Sequence, residues 1–123
     1  MDIIAERISD SELEIMKLLW KNAPLTSTEI REELQRTMGW EATTIKTLIS
    51  RLVHKEAISQ EKRKVFYYCP LISETEYNGW ATGRLINKLY RGSAKAMVAA
   101  LVDSQGLTEG DLAELRALFK VED

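Results

Sequence analysis

The 123-residue chain has few of the residues that support catalysis, metal binding or disulfide formation. Its one cysteine, Cys69, cannot form an intramolecular disulfide and cannot build a zinc site alone. Its one histidine is His54, and the chain has no glycine-rich phosphate loop, GxSxG motif or HExxH motif. We therefore predict that the protein is not an enzyme and that it uses no cofactor and no metal.

Long apolar runs are also missing, so no segment is long enough to cross a bilayer. Residues 1–7 carry acidic side chains and lack the basic region and apolar run of a signal peptide. We expect a soluble, cytoplasmic protein with no membrane partner. Apolar residues still make up 45% of the chain, which is enough to build a core.

The net charge of −2 argues mildly against nucleic-acid binding, but the charges are unevenly distributed. Residues 40–68 hold six basic and three acidic side chains, whereas the segments on both sides are acidic overall. A cationic middle between acidic flanks suits a local contact with an anionic partner.

Helical periodicity, capping signals and turn residues divide the chain into helices and short strands. Four pairs have the spacing of a capping box: Ser9 with Glu12, Thr26 with Glu29, Ser73 with Glu76, and Thr108 with Asp111. The pattern predicts helices over 10–22, 27–37, 42–55, 73–91, 93–104 and 109–120, and strands over 57–60 and 65–69 joined by a turn at 61–64.

Three helices followed by a β-hairpin form the winged-helix arrangement. We predict a mainly α protein with a small β-hairpin wing. Residues 1–72 would form a winged helix-turn-helix DNA-binding domain, and residues 73–123 a helical dimerisation domain.

The third predicted helix leaves a polar face free beside its apolar stripe. That face combines hydroxyl side chains, which allow close approach to bases, with cations that neutralise phosphate. Any surface helix has a polar face, but this one contains no acidic residue between Ala42 and Lys55. The predicted DNA contacts on this helix are Thr43, Thr44, Lys46, Thr47, Ser50, Arg51 and His54.

The predicted wing adds three consecutive cations at its tip, Lys62, Arg63 and Lys64. They could reach the phosphate backbone, although hairpin tips also carry lysine for solubility alone. Trp40 is expected to pack under the third helix rather than stack on a base. Of Tyr67 and Tyr68, which alternate along a strand, one should be core and the other surface.

Apolar residues on several faces of 73–120 exceed what a domain of about 70 residues can cover. We expect dimerisation to bury them, which would also present two recognition helices to a two-fold operator. An intrachain helical cap is the competing interpretation. The predicted interface residues are Tyr77, Trp80, Ile86, Leu89, Tyr90, Met97, Val98, Leu101, Leu112, Leu115 and Phe119.

Several stretches resemble the BlaI/MecI/CopY penicillinase-repressor family. One is the opening, 8–20, and another is 39–52, where a Trp is followed by the sequence Thr-Ile-Lys-Thr-Leu-Ile-Ser-Arg-Leu at 44–52. The wing residues Tyr67, Tyr68, Pro70 and Leu71 and the segment 86–92 are similar as well. The resemblance covers nearly the whole chain.

The resemblance implies a homodimeric transcriptional repressor, typical of antibiotic resistance, that binds a palindromic double-stranded operator with TACA/TGTA-like half-sites. It places Thr44 and Lys46 where the family touches bases and backbone, and Thr47 and Arg51 where it faces phosphates. Position 43 is often Lys and position 42 often Pro in the family, whereas this chain has Thr43 and Ala42.

The resemblance also suggests how repression could end. Members that respond to β-lactams are cut by a signal-activated protease in the dimerisation region, and the matching bond here is Ala100–Leu101. Copper-responsive members of the CopY type end in cysteine pairs, which residues 119–123 lack. A copper-responsive repressor and a winged-helix protein–protein adaptor are the alternative interpretations.

Overall fold

The computed structural model describes residues 3–104 and 106–119, without the side chains of Ile3 and Phe119. Its elements follow one another as α1 Ile3–Glu6, α2 Asp10–Asn22, β1 Leu25–Thr26, α3 Ser27–Met38, α4 Ala42–His54, β2 Ile58–Lys62, β3 Phe66–Pro70, α5 Glu74–Tyr90, α6 Ala94–Ser104 and α7 Glu109–Phe119. The bounds of the six longer helices agree with the prediction to within one residue, and a β-hairpin follows α4 as expected. The mainly α winged-helix fold is confirmed.

All four predicted capping boxes are formed. In the first, the backbone amide of Glu12 donates to Ser9 Oγ at 3.2 Å, and the Ser9 amide donates to Glu12 Oε1 at 2.9 Å. The other three show the same reciprocal hydrogen bonds at the starts of α3, α5 and α7. Each box satisfies amides that the first helical turn leaves without a partner, which fixes where the helix begins.

The sheet has three antiparallel strands in the order β1–β3–β2. The short strand β1 pairs Leu25 with Tyr68 and Thr26 with Tyr67, which fastens the middle of β3 to the segment between α2 and α3. Neither β1 nor α1 was predicted from the sequence. Two residues that become a strand only by pairing with a distant segment carry no periodicity of their own.

The strands of the hairpin have different bounds from those predicted. Lys62 was expected at the tip but is the last residue of β2, where it pairs with Phe66. Val65 was assigned to the second strand but lies in the turn, closed by a hydrogen bond from Arg63 N to Val65 O of 3.0 Å. The pairing extends to Ile58 and Pro70, so register rather than the β-propensity of Val65 decides where the strand starts.

A continuous apolar core lies between α2, α3, α4 and the sheet. Its largest fully buried apolar side chains are Ile15, Met16, Leu19, Ile30, Ile45, Leu52 and Ile58. Tyr68 is buried, as predicted for one of the two tyrosines, whereas Tyr67 is half-buried rather than fully at the surface. Half-buried Trp40 packs against the core, which favours the expected packing role.

The chain divides into two compact units, the first ending at Ala81 and the second beginning at Thr82. The first unit therefore extends beyond residue 72, the boundary expected from the sequence. The extra residues pack within it, because the Trp20 and Tyr77 ring centroids lie 5.7 Å apart and those of Tyr77 and Trp80 5.8 Å. Trp20 Nε1 also donates to Ile72 O at 2.9 Å.

Among the described residues, no helix is both long enough and apolar enough to pass through a membrane.

Candidate nucleic-acid interface

Helix α4 is held by one apolar face. Ile45, Leu48, Ile49 and Leu52 are all buried, and their spacing of three and four residues places them on the side that faces α2 and α3. The helix contacts both of these neighbours and also β2. Val53 is half-buried against the core, and the rest of the helix circumference is exposed and available to a partner.

The seven side chains of α4 that were predicted to contact DNA all lie on this outer surface. None of the thirteen residues of α4 is acidic, and no Asp or Glu therefore interrupts the outer face. The exposed members on the helix are Thr43, Thr44, Lys46, Thr47, Ser50, Arg51 and His54. The structure thus brings together, on one element, the hydroxyls and cations that the sequence analysis selected.

One hydroxyl on this face is already engaged. Thr47 Oγ1 donates to the carbonyl oxygen of Thr43 at 2.9 Å. With its proton committed to the helix backbone, Thr47 can still accept hydrogen bonds through its lone pairs. In this rotamer it suits a donor such as a base amino group better than a phosphate, which offers only acceptors.

Two grooves border the outer face of α4. The wing-side groove runs between α4, the start of α3 and the hairpin, and its polar lining includes Ser27, Arg31, Thr43 and Gln60. The N-terminal-side groove is lined by Arg7, Lys46, Thr47, Ser50, Arg51, His54 and Lys55. Lys46 and Ser50 line both grooves, so they form the ridge between them.

Two cations of the wing lie over aromatic rings of β3. Lys62 Nζ lies 5.5 Å from the Phe66 ring centroid, and the Arg63 guanidinium carbon lies 4.8 Å from that of Tyr67. Arg63 Nε also donates to Glu61 Oε1 at 2.7 Å, which offsets part of its charge. These stacked contacts limit where the two exposed cations can point.

Comparison with known proteins places the chain in a family. The penicillinase repressor family profile matches residues 8–120. The chain is similar to a penicillinase repressor of Bacillus licheniformis, with 34% identity over 115 residues, 93% of this chain and 90% of the relative. The methicillin resistance regulatory protein MecI of Staphylococcus aureus (strain N315) is 33% identical over 120 residues, 97% and 98% of the two chains.

The chain belongs to the penicillinase repressor family. This confirms the resemblance seen in the sequence motifs. The family consists of transcriptional regulators rather than enzymes.

Two solved structures resemble the N-terminal part of this chain. The solution structure of the DNA-binding domain of the repressor BlaI matches with a TM-score of 0.55 and 41% identity, over 63% of this chain and 94% of that one. The monomeric form of Bacillus licheniformis BlaI, solved in complex with the blaP half-operator, matches with a TM-score of 0.53 and 42% identity, over 58% and 88%.

Several residues that line the two grooves beside α4 were not predicted from the sequence. Ser27 and Arg31 lie one helical turn apart on α3 and line the wing-side groove with Gln60, while Arg7 lines the other groove. In a helix-turn-helix the first helix crosses the DNA backbone. Ser27 and Arg31 are four residues apart, so they share one face of α3, and the core residue Ile30 lies beside it. This spacing could have predicted from the sequence that both residues lie at the candidate interface.

The residues predicted for dimerisation fall into two groups. Tyr77 and Trp80 pack against the core of the first unit, so the structure gives them an intrachain contact. Ile86, Tyr90, Met97, Leu112 and Leu115 are half-buried, Leu89, Val98 and Leu101 are exposed, and the Phe119 side chain lies outside the described residues. Across the described part of the second unit no side chain is fully buried.

Proposed function

We propose that this protein is a homodimeric transcriptional repressor that binds a palindromic operator, with TACA/TGTA-like half-sites, through α4 and the wing. The observation that carries this proposal is the outer face of α4, which exposes hydroxyls and cations with no acidic residue. A similar protein, BlaI, was solved in complex with a half-operator. A repressor must reach chromosomal DNA, and this agrees with the cytoplasmic location expected from the sequence.

Base contacts and phosphate contacts fall on different parts of the interface. Thr44 and Lys46, in the first two turns of α4, are proposed to reach the bases, because the N-terminal end of a recognition helix lies deepest in the major groove. Arg51, together with Arg31 and the wing cations Lys62, Arg63 and Lys64, is proposed to bind phosphates. Phosphate contacts fix the register of the protein and contribute to its affinity for any sequence.

Dimerisation is proposed to occur through the second unit. Leu89 is 59% exposed and Leu118 67% exposed, and neither is covered by the described residues. Apolar surface of this kind is typical of an interface between subunits. Two copies would present two α4 helices to the two half-sites of a palindrome.

Release of the operator is proposed to follow cleavage of the bond between Ala100 and Leu101 by a signal-activated protease. That bond lies inside α6, where Ser104 Oγ donates to Ala100 O at 2.6 Å. Because proteolysis acts on the locally opened chain, this helix must unwind before it is cut. Cleavage would separate the DNA-binding unit from residues 101–123, which hold Leu101, Leu112, Leu115 and Phe119 of the proposed dimer interface. The weakened dimer would then lose avidity for the two half-sites.

The proposal is tested by fluorescence anisotropy with the full chain and a labelled duplex that carries a TACA–TGTA palindrome. A scrambled duplex of equal length at the same salt concentration is the control for sequence preference. Tighter, salt-dependent binding to the palindrome by a dimer is expected. Equal binding to both duplexes would rule out this operator, and no binding to either would favour the protein–protein adaptor.

A double variant assigns the binding to α4. Replacing Lys46 and Arg51 by Ala removes two exposed cations of the outer face, and binding to the palindrome should fall at least tenfold. The matched control replaces Lys17 and Lys21 by Ala, which removes the same charge from α2 at positions that line neither groove beside α4. Equal losses for both double variants would contradict a contact through α4.

A further inference from the structure

The N-terminal-side groove is lined by one residue that is distant from α4 in the sequence, Arg7. Its other lining residues come from α4 or from Lys55, which ends that helix, but Arg7 comes from the turn between α1 and α2. No acidic side chain is among the described residues that line this groove. Arg7 is exposed there, beside the same helix that carries Arg51 and His54.

The backbone at Arg7 is fixed on both sides. Ala5 is fully buried and Ile8 is 8% exposed, and both belong to the core of the first unit. The Arg7 amide donates to Ile4 O at 3.0 Å, and the Ile8 amide donates to Ala5 O at 3.3 Å. Two core residues that flank an exposed one leave the Arg7 side chain directed outward from a fixed turn.

Lys55 ties this turn to the end of α4. Its Nζ donates to Arg7 O at 2.7 Å and to Glu12 Oε1 and Oε2 at 2.6 and 2.8 Å. Three short hydrogen bonds occupy all three protons of an ammonium group. The Lys55 charge is therefore offset by Glu12 and is not available to a partner, and what Lys55 contributes is the position of Arg7 beside α4.

The interface then has cations on both sides of the ridge formed by Lys46 and Ser50. Arg31 lines the wing-side groove, whereas Arg7 and Arg51 line the other groove. A helix seated in the major groove has a phosphate backbone along each side of it. A cation on each side can therefore meet each backbone.

We propose that Arg7 binds a backbone phosphate of the operator, which extends the DNA interface to the turn between α1 and α2. This inference rests on the proposed function, since it presupposes that α4 enters the major groove. The contact carries no sequence information, so it adds affinity for every duplex and sets how the first unit is oriented.

The salt dependence of binding tests the contact with the full chain and the TACA–TGTA duplex. The slope of log K against log salt concentration is expected to fall in magnitude by about 0.9 per bound chain in Arg7→Ala. Affinity should fall by the same factor on the palindrome and on the scrambled duplex. Arg7→Lys should restore the slope, because a lysine also neutralises phosphate.

Lys17→Ala is the matched control, since it removes the same charge from α2 at a position outside both grooves. Circular dichroism melting checks that Arg7→Ala is as folded as the parent. A parent-like slope in a folded Arg7→Ala protein would overturn the Arg7 contact and leave the proposed function standing. If the parent itself binds neither duplex, both proposals fail.

Discussion

Lys55 Nζ lies 2.6 Å from Glu12 Oε1, so the residue that ends α4 is paired with a carboxylate in the first turn of α2. Glu12 is 1% exposed and Lys55 side-chain exposure is 22%. Burial raises the pKa of Glu12, but hydrogen bonds from Lys55 and from the Ser9 amide, with the charge of Lys55, outweigh it and hold that pKa below its ordinary value. The buried carboxylate is therefore ionised at neutral pH and fastens the end of α4 to α2.

The first prediction concerns the stability that this pair supplies. Glu12→Gln keeps the size of the side chain but removes the charge and one acceptor oxygen facing Lys55. We expect a loss of about 2 kcal/mol in the free energy of unfolding, the usual worth of hydrogen bonds to a charged group. Urea denaturation followed by circular dichroism measures it.

Glu14→Gln is the matched control, because it makes the same chemical change in the exposed pair of Glu14 with Lys17. Exposed ion pairs contribute little, so this variant should unfold close to the parent midpoint. Equal midpoints for Glu12→Gln and the parent would show that the buried pair contributes nothing to stability.

The second prediction is the pH dependence that follows from the lowered pKa of Glu12. A group whose pKa is lower in the folded state stabilises the fold above its unfolded pKa, about 4.3 for Glu. This contribution is lost as the pH falls through the folded value. The free energy of unfolding should therefore decline below about pH 4.3 more steeply in the parent than in Glu12→Gln, as urea titrations at a series of pH values would show. Parallel declines would place the titrating group elsewhere.

The third prediction concerns the end of α4. Glu56 has a φ of +64°, with hydrogen bonds from Glu56 N to Val53 O and from Ala57 N to Leu52 O, both 3.0 Å. This is a Schellman motif in which a glutamate occupies the left-handed position that usually holds glycine. Glu56→Gly should stabilise the protein by about 0.5 to 1 kcal/mol, because relief of the left-handed strain exceeds the added chain entropy.

Thermal unfolding compares Glu56→Gly with Glu56→Ala, which removes the same charge and keeps the Cβ atom. Only the glycine variant should melt above the parent. If both variants gain equally, the cause is the lost carboxylate and not the backbone conformation.

The elements that sequence analysis located most closely are those specified by neighbouring residues. Ser9, Thr26, Ser73 and Thr108 each cap the helix that begins after them, and a capping box needs only a residue three positions ahead. The residues of the outer face of α4 were predicted for the same reason, because helical spacing alone determines which side chains share a face.

Features that depend on distant contacts escaped the sequence analysis. Leu25 belongs to a strand only because it pairs with Tyr68. Lys62 lies in β2 and not at the predicted tip because it pairs with Phe66. Arg7 reaches the candidate site through a hydrogen bond from a residue 48 positions away. The apolar pattern of Tyr77 and Trp80 showed that they would be covered, but not that Trp20 of the same chain would contribute to covering them.

The fourth prediction separates the two kinds of DNA contact proposed for α4. Arg51→Ala should weaken binding to the palindrome and to the scrambled duplex by the same factor, and reduce the salt slope by about 0.9 per chain. Thr44→Ala should leave the salt slope unchanged and lower the ratio of affinities for the two duplexes. Anisotropy titrations at several salt concentrations measure both quantities. If each variant lost affinity equally on both duplexes, Thr44 would have no part in sequence preference.

The last prediction concerns the apolar surface of the second unit. Leu89 lies near the end of α5 with 59% of its surface exposed, and Glu at this position would place a charge in the proposed subunit contact. Leu89→Glu should shift the protein from dimer to monomer in sedimentation velocity at a fixed concentration. Asn87→Glu, two residues earlier at an exposed polar position, introduces the same charge and should sediment like the parent.

The same two variants link assembly to operator binding. A dimer gains avidity only where it can reach two half-sites. Leu89→Glu should therefore bind the palindrome more weakly than the parent, yet bind a duplex with one half-site as well as the parent does. A Leu89→Glu protein that remains dimeric would show that this part of α5 lies outside the subunit contact, and equal loss on both duplexes would point to a damaged DNA-binding unit.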